Sequence, residues 1–252
     1  MSYDKRVDGR KFDEPRKMEA KVGVVKRADG SAMFRMGDTI AIAAVYGPRN
    51  LYPKFLQDPQ KGILRCNYNM LAFSVDERIR PGPSRRSKEI SYVTESALSS
   101  VLDLSQFPNA VVDVFIEIIQ ADAGTRCVGI TAAAMALADA GLVMRDLIAA
   151  VSVGKVGDKI VVDLNKEEED YEPKDGHKSV DIPVAILPRT GEVSLLQMDG
   201  ELKAEELIEA IEKAKIAAKK INEVQREALY KKYKEIGADE KWVKLKLQKN
   251  IF

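Results

Sequence analysis

The stretch that most restricts how this chain can fold is Gln120-Ala121-Asp122-Ala123-Gly124-Thr125-Arg126, because the hydrophobic pattern changes period across it. Before it, 111–119 is rich in Val, Ile and Phe and reads as a buried strand. After it, 127–140 is rich in alanine, long enough for about three helical turns, and stopped by Gly141. A strand therefore enters a glycine turn and leaves as a helix. The first turn of a helix carries N–H groups without partners and the positive end of the macrodipole, so a glycine, a hydroxyl and a guanidinium placed there suit an oxyanion such as phosphate. The same three residues also serve a plain turn, with Gly124 bending, Thr125 capping and Arg126 pairing with Asp122, so the rest of the chain has to decide.

A chain of 252 residues, 45% of them apolar, can bury a sizeable core as one large domain or two intimately packed halves. The formal charge is only +1, from 40 basic and 39 acidic residues, so a site for a polyanion has to be a local patch. The charged start and the lack of a long apolar run give no signal peptide or membrane span, which makes the cytoplasm the expected location. Two cysteines, Cys66 and Cys127, and one histidine, His177, fall short of a structural zinc site and argue against Ser-His or Cys-His nucleophilic mechanisms.

Taken in order, 1–16 is a polar arm with turns at Asp8-Gly9 and Pro15-Arg16, expected on the surface. From Met18 the pattern is a meander: strands over 19–26, 32–36 and 39–47, with a hairpin signal at Asp29-Gly30. Residues 48–62, with three prolines, form a long loop, and 63–75 resumes as a strand. Helical spacing of Ile90, Val93, Ala97, Leu98, Val101 and Leu102 predicts a helix over 87–104. Beyond the central junction, 150–155, 159–164, 180–187 and 192–198 read as strands, with 142–149 a short strand or turn. The segment 203–236 is one long amphipathic helix. Residues 237–252 form a C-terminal tail, in which 241–252 alternates Trp242, Leu245, Leu247 and Ile251 with lysines and is read as a partner-binding segment.

Two further constellations bear on chemistry. Arg78, Arg80, Arg85, Arg86 and Lys88 put five basic residues into 78–88, on a loop stiffened by Pro81 and Pro83, and Arg65 lies just upstream. Guanidinium forks bind phosphates bidentately, so this segment can follow several backbone phosphates of a nucleic acid; a solvated loop paired with Asp76 and Glu77 is the plainer alternative. The acidic run 167–175 ends one strand and Asp181 opens the next, and carboxylates facing one another there can hold a hard divalent cation or give a proton to a leaving oxygen. An anion site, an arginine track and a carboxylate pair together suggest phosphate attacking a nucleic-acid phosphodiester.

These features come with stretches that resemble the ribonuclease PH family, on the branch of the catalytic ring subunits of the archaeal exosome. They include Arg6-Val7-Asp8-Gly9-Arg10, Ala43-Ala44-Val45-Tyr46-Gly47-Pro48-Arg49, Asn67-Tyr68-Asn69-Met70, Pro83-Ser84-Arg85-Arg86, Gln120 through Arg126, Leu137-Ala138-Asp139-Ala140-Gly141 and Leu196-Gln197-Met198-Asp199-Gly200. The resemblance implies an α+β, ribonuclease PH-like fold (similar to domain 2 of ribosomal protein S5). Two related β-α halves would pack as a single domain over 1–236, with a long C-terminal helix. It implies a phosphate-dependent 3′-to-5′ exoribonuclease that releases nucleoside diphosphates from single-stranded RNA, with inorganic phosphate as co-substrate and a divalent metal, Mg2+ by expectation.

Carried over by motif, Gly124, Thr125, Arg126 and Arg86 would hold phosphate, Arg85 and Arg86 the scissile end, Arg65 the RNA path, and Asp181 would be the second of two catalytic aspartates. The first is open: anchoring on the strand at Val162-Asp163-Leu164 places it at Asp170, and the family's spacing of six places it at Asp175. The metal ligands would be Asp181 and Asp170. The implied partners are an inactive ribonuclease PH-type subunit in a three-plus-three hexameric ring and RNA-binding caps. A non-catalytic RNA-guiding ring subunit and a homohexameric tRNA-trimming ribonuclease PH are the alternatives.

Overall fold

The computed structural model describes residues 3–171 and 179–235. In chain order the elements are β1 (Met18–Val22), β2 (Gly30–Met36), β3 (Thr39–Asn50), β4 (Ile63–Met70), α1 (Arg85–Ser99), β5 (Ala110–Gln120) and α2 (Thr125–Asp139). They continue with β6 (Ala149–Val156), β7 (Lys159–Val162), α3 (Lys166–Glu169), β8 (Val180–Ile186), β9 (Val193–Leu196) and α4 (Ala204–Glu235). Five strands form one sheet in the order β1-β2-β3-β5-β4, and four form a second in the order β7-β6-β8-β9. The expected meander is β1–β3, antiparallel throughout, while β4 runs parallel to β5 and is joined to it through α1.

Helix α2 lies between the two sheets, touching β2, β3 and β5 on one side and β6 and β8 on the other. All its residues except Arg126 and Asp139 are buried, and a helix that is apolar on every side must be buried on every side. Its small residues let both sheets approach closely: a Cβ at Gly129 would stand 3.0 Å from Ile116 Cγ2. Helix α4 covers β6, β7 and β1 with the stripe Ala210, Ala214, Ala218, Ile221 and Leu229, so one continuous core joins the halves.

The boundaries moved where local chemistry outweighs periodicity. Strand β3 continues to Asn50, past the expected end at 47, and β4 stops at Met70 rather than 75. Helix α1 begins at Arg85, two residues earlier than its apolar spacing indicates, because Ser84 and Ser87 form a reciprocal cap. It also ends earlier, at Ser99. The acidic run holds an unforeseen short helix, α3, started by an Asn165–Glu168 capping box.

The larger correction concerns the N-terminal arm. Most of it lies on the surface as expected, but it is pinned by buried arginines: Arg6 and Arg16 keep only 2% and 6% of their surface exposed. Both guanidinium groups are fully engaged inside, Arg6 with Glu168 at 2.7 Å and Arg16 with Asp163 at 2.8 Å. Paired charges can be buried where isolated ones cannot, and the partners lie about 150 positions away, beyond the reach of any pattern reading. The tail 237–252, Asp175 and His177 lie outside the described residues. Among the described residues no helix is long and apolar enough to cross a membrane.

Gly154 pairs with Asp181 across β6 and β8, and a Cβ there would fall 1.9 Å from the Val180 carbonyl oxygen. Backbone cannot step aside as a flexible side chain can. Gly154→Ala is therefore expected to destabilise the fold by about 1–3 kcal/mol, read as a lower urea midpoint at unchanged slope.

Candidate active site

The strand–turn–helix junction forms as its residues dictate. Strand β5 ends at Gln120, and the chain reverses through two consecutive left-handed residues, Ala123 (φ +53°) and Gly124 (φ +61°), before α2 begins at Thr125. The Gly124 carbonyl accepts from the N–H groups of Cys127 and Val128, both at 3.1 Å, which closes the first turn. The N–H groups just before these have no carbonyl one turn behind, so the positive end of α2 opens toward solvent with Thr125 and Arg126 beside it.

That end faces a cavity of about 430 Å³. Its lining brings together Arg86, Gly124, Thr125, Arg126 and Asp181, from four separate elements or turns. Met70, Val75 and Ile79 supply an apolar wall, and Asp76 and Glu77 also border it. Lys166 and Glu169, at the two ends of α3, complete the lining; neither was singled out from the sequence. In a run of four acidic residues nothing but the fold distinguishes Glu169 from its neighbours.

Arg86 owes its place to the α1 cap, which sets Arg85 and Arg86 in a helical first turn that contains no acidic residue. Cations at the positive end of a helix are disfavoured until an anion arrives. Arg126 Nη1 donates to Gln197 Oε1 and lies 3.5 Å from Glu89 Oε1, while Gln197 Nε2 donates to the same Glu89 oxygen at 2.6 Å. Helix α1, helix α2 and the end of β9 thus aim the guanidinium jointly. Gln197 lies in one of the stretches carrying the sequence resemblance, so its signal was present without a role.

Asp181 lies at the start of β8, bridged antiparallel to Asp199, and accepts a hydrogen bond from Ser152 Oγ on β6. Burial pushes its carboxyl up to about 6; the Ser152 bond and Arg126 oppose the rise, and Glu169 and Asp199 add to it. Asp170 lies with Asp181, Glu169 and Asp199 on a neighbouring cavity of about 490 Å³, but its own carboxylate is exposed and paired with Lys166 Nζ at 2.6 Å. Arg65 is not in the cavity: it is five residues before Met70 on β4, about 16 Å away at strand rise, and pairs with Asp113 at 2.7 Å. Arg78, Arg80, Arg85 and Lys88 are exposed, and none of them lines the cavity.

Among the described residues no three His, Cys, Asp or Glu side chains converge closely enough to hold a metal alone. Mg2+ ordinarily binds through one or two carboxylates together with substrate phosphates, and Asp181, whose pKa is raised first by burial and further by Glu169 and Asp199, has two carboxylates near it. The donor set therefore fits a hard cation shared with a bound phosphate.

A carboxyl whose folded pKa is above its unfolded value binds protons better in the folded state, so its contribution to stability is lost as pH rises from about 4 to about 6. Asp181→Asn keeps an oxygen for Ser152 without the charge. In chelator-containing buffer the variant should match the parent near pH 4 and be more stable by about 1–3 kcal/mol at pH 7.5, read from denaturant titrations across that range.

Two family models cover most of the chain: "3' exoribonuclease family, domain 1" over residues 14–143 and "3' exoribonuclease family, domain 2" over 146–217. The chain is 53% identical to "Exosome complex component Rrp41" of Thermococcus gammatolerans over 235 residues, 93% of this chain and 92% of that one. It is 50% identical to the protein of the same name from Thermoplasma acidophilum, over 93% of each. Among solved structures, one described as "archaeoglobus fulgidus exosome with RNA bound to the active site" superposes with a TM-score of 0.72 at 27% identity, over 87% of this chain and 92% of that one. Rice Rrp46 superposes at 0.76 with 24% identity, over 88% and 98%, a likeness of fold. With its two sheets matched by the family's two domains, and its anion turn and buried carboxyl meeting in one cavity, the chain belongs to the 3′ exoribonuclease family.

Proposed function

We propose that the chain is a catalytic ring subunit of an archaeal-type exosome, which removes nucleotides from the 3′ end of single-stranded RNA by phosphorolysis. The observation that carries this reading is the single cavity shared by the α2 N-terminus, with Thr125 and Arg126, and a carboxyl held partly protonated near neutral pH, Asp181. Hydrolysis needs no second anion site. An arginine at a helix N-terminus beside a cavity of about 430 Å³, roomy enough for a nucleotide and a separate phosphate, suits phosphate as the nucleophile.

In this mechanism the Gly124–Thr125 turn and Arg126 hold inorganic phosphate, and Arg86 neutralises the last phosphodiester of the RNA. A phosphate oxygen attacks the terminal phosphorus, the bond from phosphorus to the 3′ oxygen breaks, and that oxygen takes the Asp181 proton. The products are a nucleoside diphosphate and an RNA one nucleotide shorter with a free 3′ hydroxyl. Binding and orientation by fixed donors supply most of the rate enhancement in phosphoryl transfer, and these donors stand on rigid elements. Asp170 and Asp181 would hold a divalent cation, Mg2+, Asp181 through the oxygen that does not carry the transferred proton, and the cation would supply charge withdrawal from the reacting phosphoryl oxygens. The apolar wall of Met70, Val75 and Ile79 offers the terminal nucleoside a surface with no side-chain hydrogen-bonding groups, which suits a substrate of mixed sequence. The proposed setting is cytoplasmic, in a ring of three such subunits alternating with three inactive relatives and topped by RNA-binding caps.

With the ring partner present, Arg126→Ala should lower phosphate-dependent diphosphate release by about 10²–10³. Asp170→Asn should lose more activity than Asp175→Asn. Both are read by chromatography of the released nucleotides, with and without phosphate. A ring that binds RNA yet releases nothing under any of these conditions would make this chain an RNA guide.

A further inference from the structure

Arg16 spends every guanidinium nitrogen on two carboxylates from opposite halves of the fold. Nε and Nη2 donate to the two oxygens of Asp163, at 2.9 and 2.8 Å, and the Arg16 backbone N–H adds a third bond to Asp163 at 2.7 Å. Nη1 donates to Asp122 Oδ2 at 3.0 Å and also to the Asp122 carbonyl oxygen. Asp122 opens the anion turn, and its other carboxylate oxygen accepts the backbone N–H of Lys166, the first residue of α3, at 2.9 Å. Asp163 lies immediately upstream of that helix. One side chain thus ties the α2 N-terminus to the segment that carries Lys166, Glu169 and Asp170.

The backbone shows what this tie restrains. Ala123 (φ +53°) and Asp163 (φ +57°) are two of only three non-glycine residues in left-handed conformation among the described residues, and both stand at this junction. Such conformations persist only where their surroundings over-determine them. Arg16 Nη2 lies 3.5 Å from where a Gly124 Cβ would be, directly behind the turn, and Thr39 Oγ1 donates to the carbonyl oxygens of Asp122 and Ala123 at 2.9 and 2.8 Å. None of the cavity lining comes from Arg16 itself.

We infer that Arg16 is a positioning residue for phosphate: from behind the turn it fixes the direction of the α2 amides and their separation from the carboxylates of α3 and β8. This rests on the phosphate reading of the site. Lysine retains the charge but offers one nitrogen in place of a planar fork, and cannot serve Asp163 bidentately and Asp122 together. Asp122→Asn weakens the other end of the tie and leaves the Arg16–Asp163 pair intact, so it serves if Arg16→Lys folds poorly.

The test uses the intact chain as parent, Arg16→Lys and Asp122→Asn. It records calorimetric binding of inorganic phosphate, amide exchange at Cys127 and Val128, melting temperature, and the kinetics of the assembled enzyme. The expected result is phosphate affinity lowered about tenfold, the scale seen when an orienting partner behind a ligand is removed. KM for phosphate should rise to match, KM for RNA should hold, and exchange at Cys127 and Val128 should quicken relative to β5. Lower melting temperatures with unchanged phosphate affinity and KM would overturn the inference and leave Arg16 a folding residue. If the parent itself fails to bind phosphate, the ligand reading falls, and the exchange data still decide the tie: unchanged rates at Cys127 and Val128 in both variants would overturn it.

Discussion

The structure depends on a pair of buried arginine–carboxylate interactions, Arg6 with Glu168 and Arg16 with Asp163, that pin the N-terminal arm to the second half, with Arg16 reaching across to Asp122 of the first. Taking such ions out of water costs several kcal/mol each, and the mutual attraction roughly returns that cost only when the remaining donors and acceptors are satisfied. Here they are. Arg6 also donates to the carbonyl oxygens of Val162 and Asp163 at 2.9 and 2.8 Å, and Glu168 accepts from Tyr3 Oη at 2.8 Å as well as from Arg6. The network adds little net stability over an apolar core of the same volume. What it adds is direction, since a fork of planar donors admits few arrangements of its partners.

Stability comes from elsewhere. Helix α2 and the two sheets bury Ile116, Ile118, Val128, Ile130, Met135, Leu137, Val151, Ile182 and Val184 in one core. Since the helix is enclosed on all sides, its body can shift only if both sheets shift, and the turn that leads into it is braced from behind by Arg16 and Thr39. The anion turn is therefore the stiff part of the site, whereas α3 is a single turn with three of its four residues exposed or half-exposed, held by Glu168 and by its tie to Asp122. The site thus combines a fixed anion cradle with a carboxylate segment that is only tethered.

What could be read from the sequence divides along the same physical line. The meander, the β5–α2 junction, β8 with Asp181 at its start and the long α4 all follow from periodicity and turn chemistry, which are local. So does the meeting of Arg86 with Thr125 and Arg126, once the resemblance ties the motifs together. The two buried arginines of the arm were not legible, because each pairs with a carboxylate that is distant in the chain, and a polar segment looks the same whether its partners are water or Glu168. Glu169, Ser152 and Lys166 escaped for a related reason: each becomes distinctive only when the pairing of β6 with β8, or a one-turn helix, brings it to the site around Asp181. The alternatives Asp170 and Asp175 reflect an insertion between two anchored strands, where spacing and anchoring give different answers.

The electrostatics of the cradle follow the same division between strong and weak partners. Arg126 is aimed by Gln197 and Glu89, and the Glu89 contact is 3.5 Å with nearly half of that carboxylate side chain exposed. A pair at such a distance with one partner open to solvent contributes about 1 kcal/mol or less. A phosphate held also by the α2 amides can take over the guanidinium at little cost, while the Gln197 bond keeps its orientation. Arg86 has no carboxylate in its own helical turn and gains by the same arrival. The protein therefore holds its cations in place with partners weak enough to be displaced, and reserves its strong, buried pairs for the backbone that sets where those cations stand.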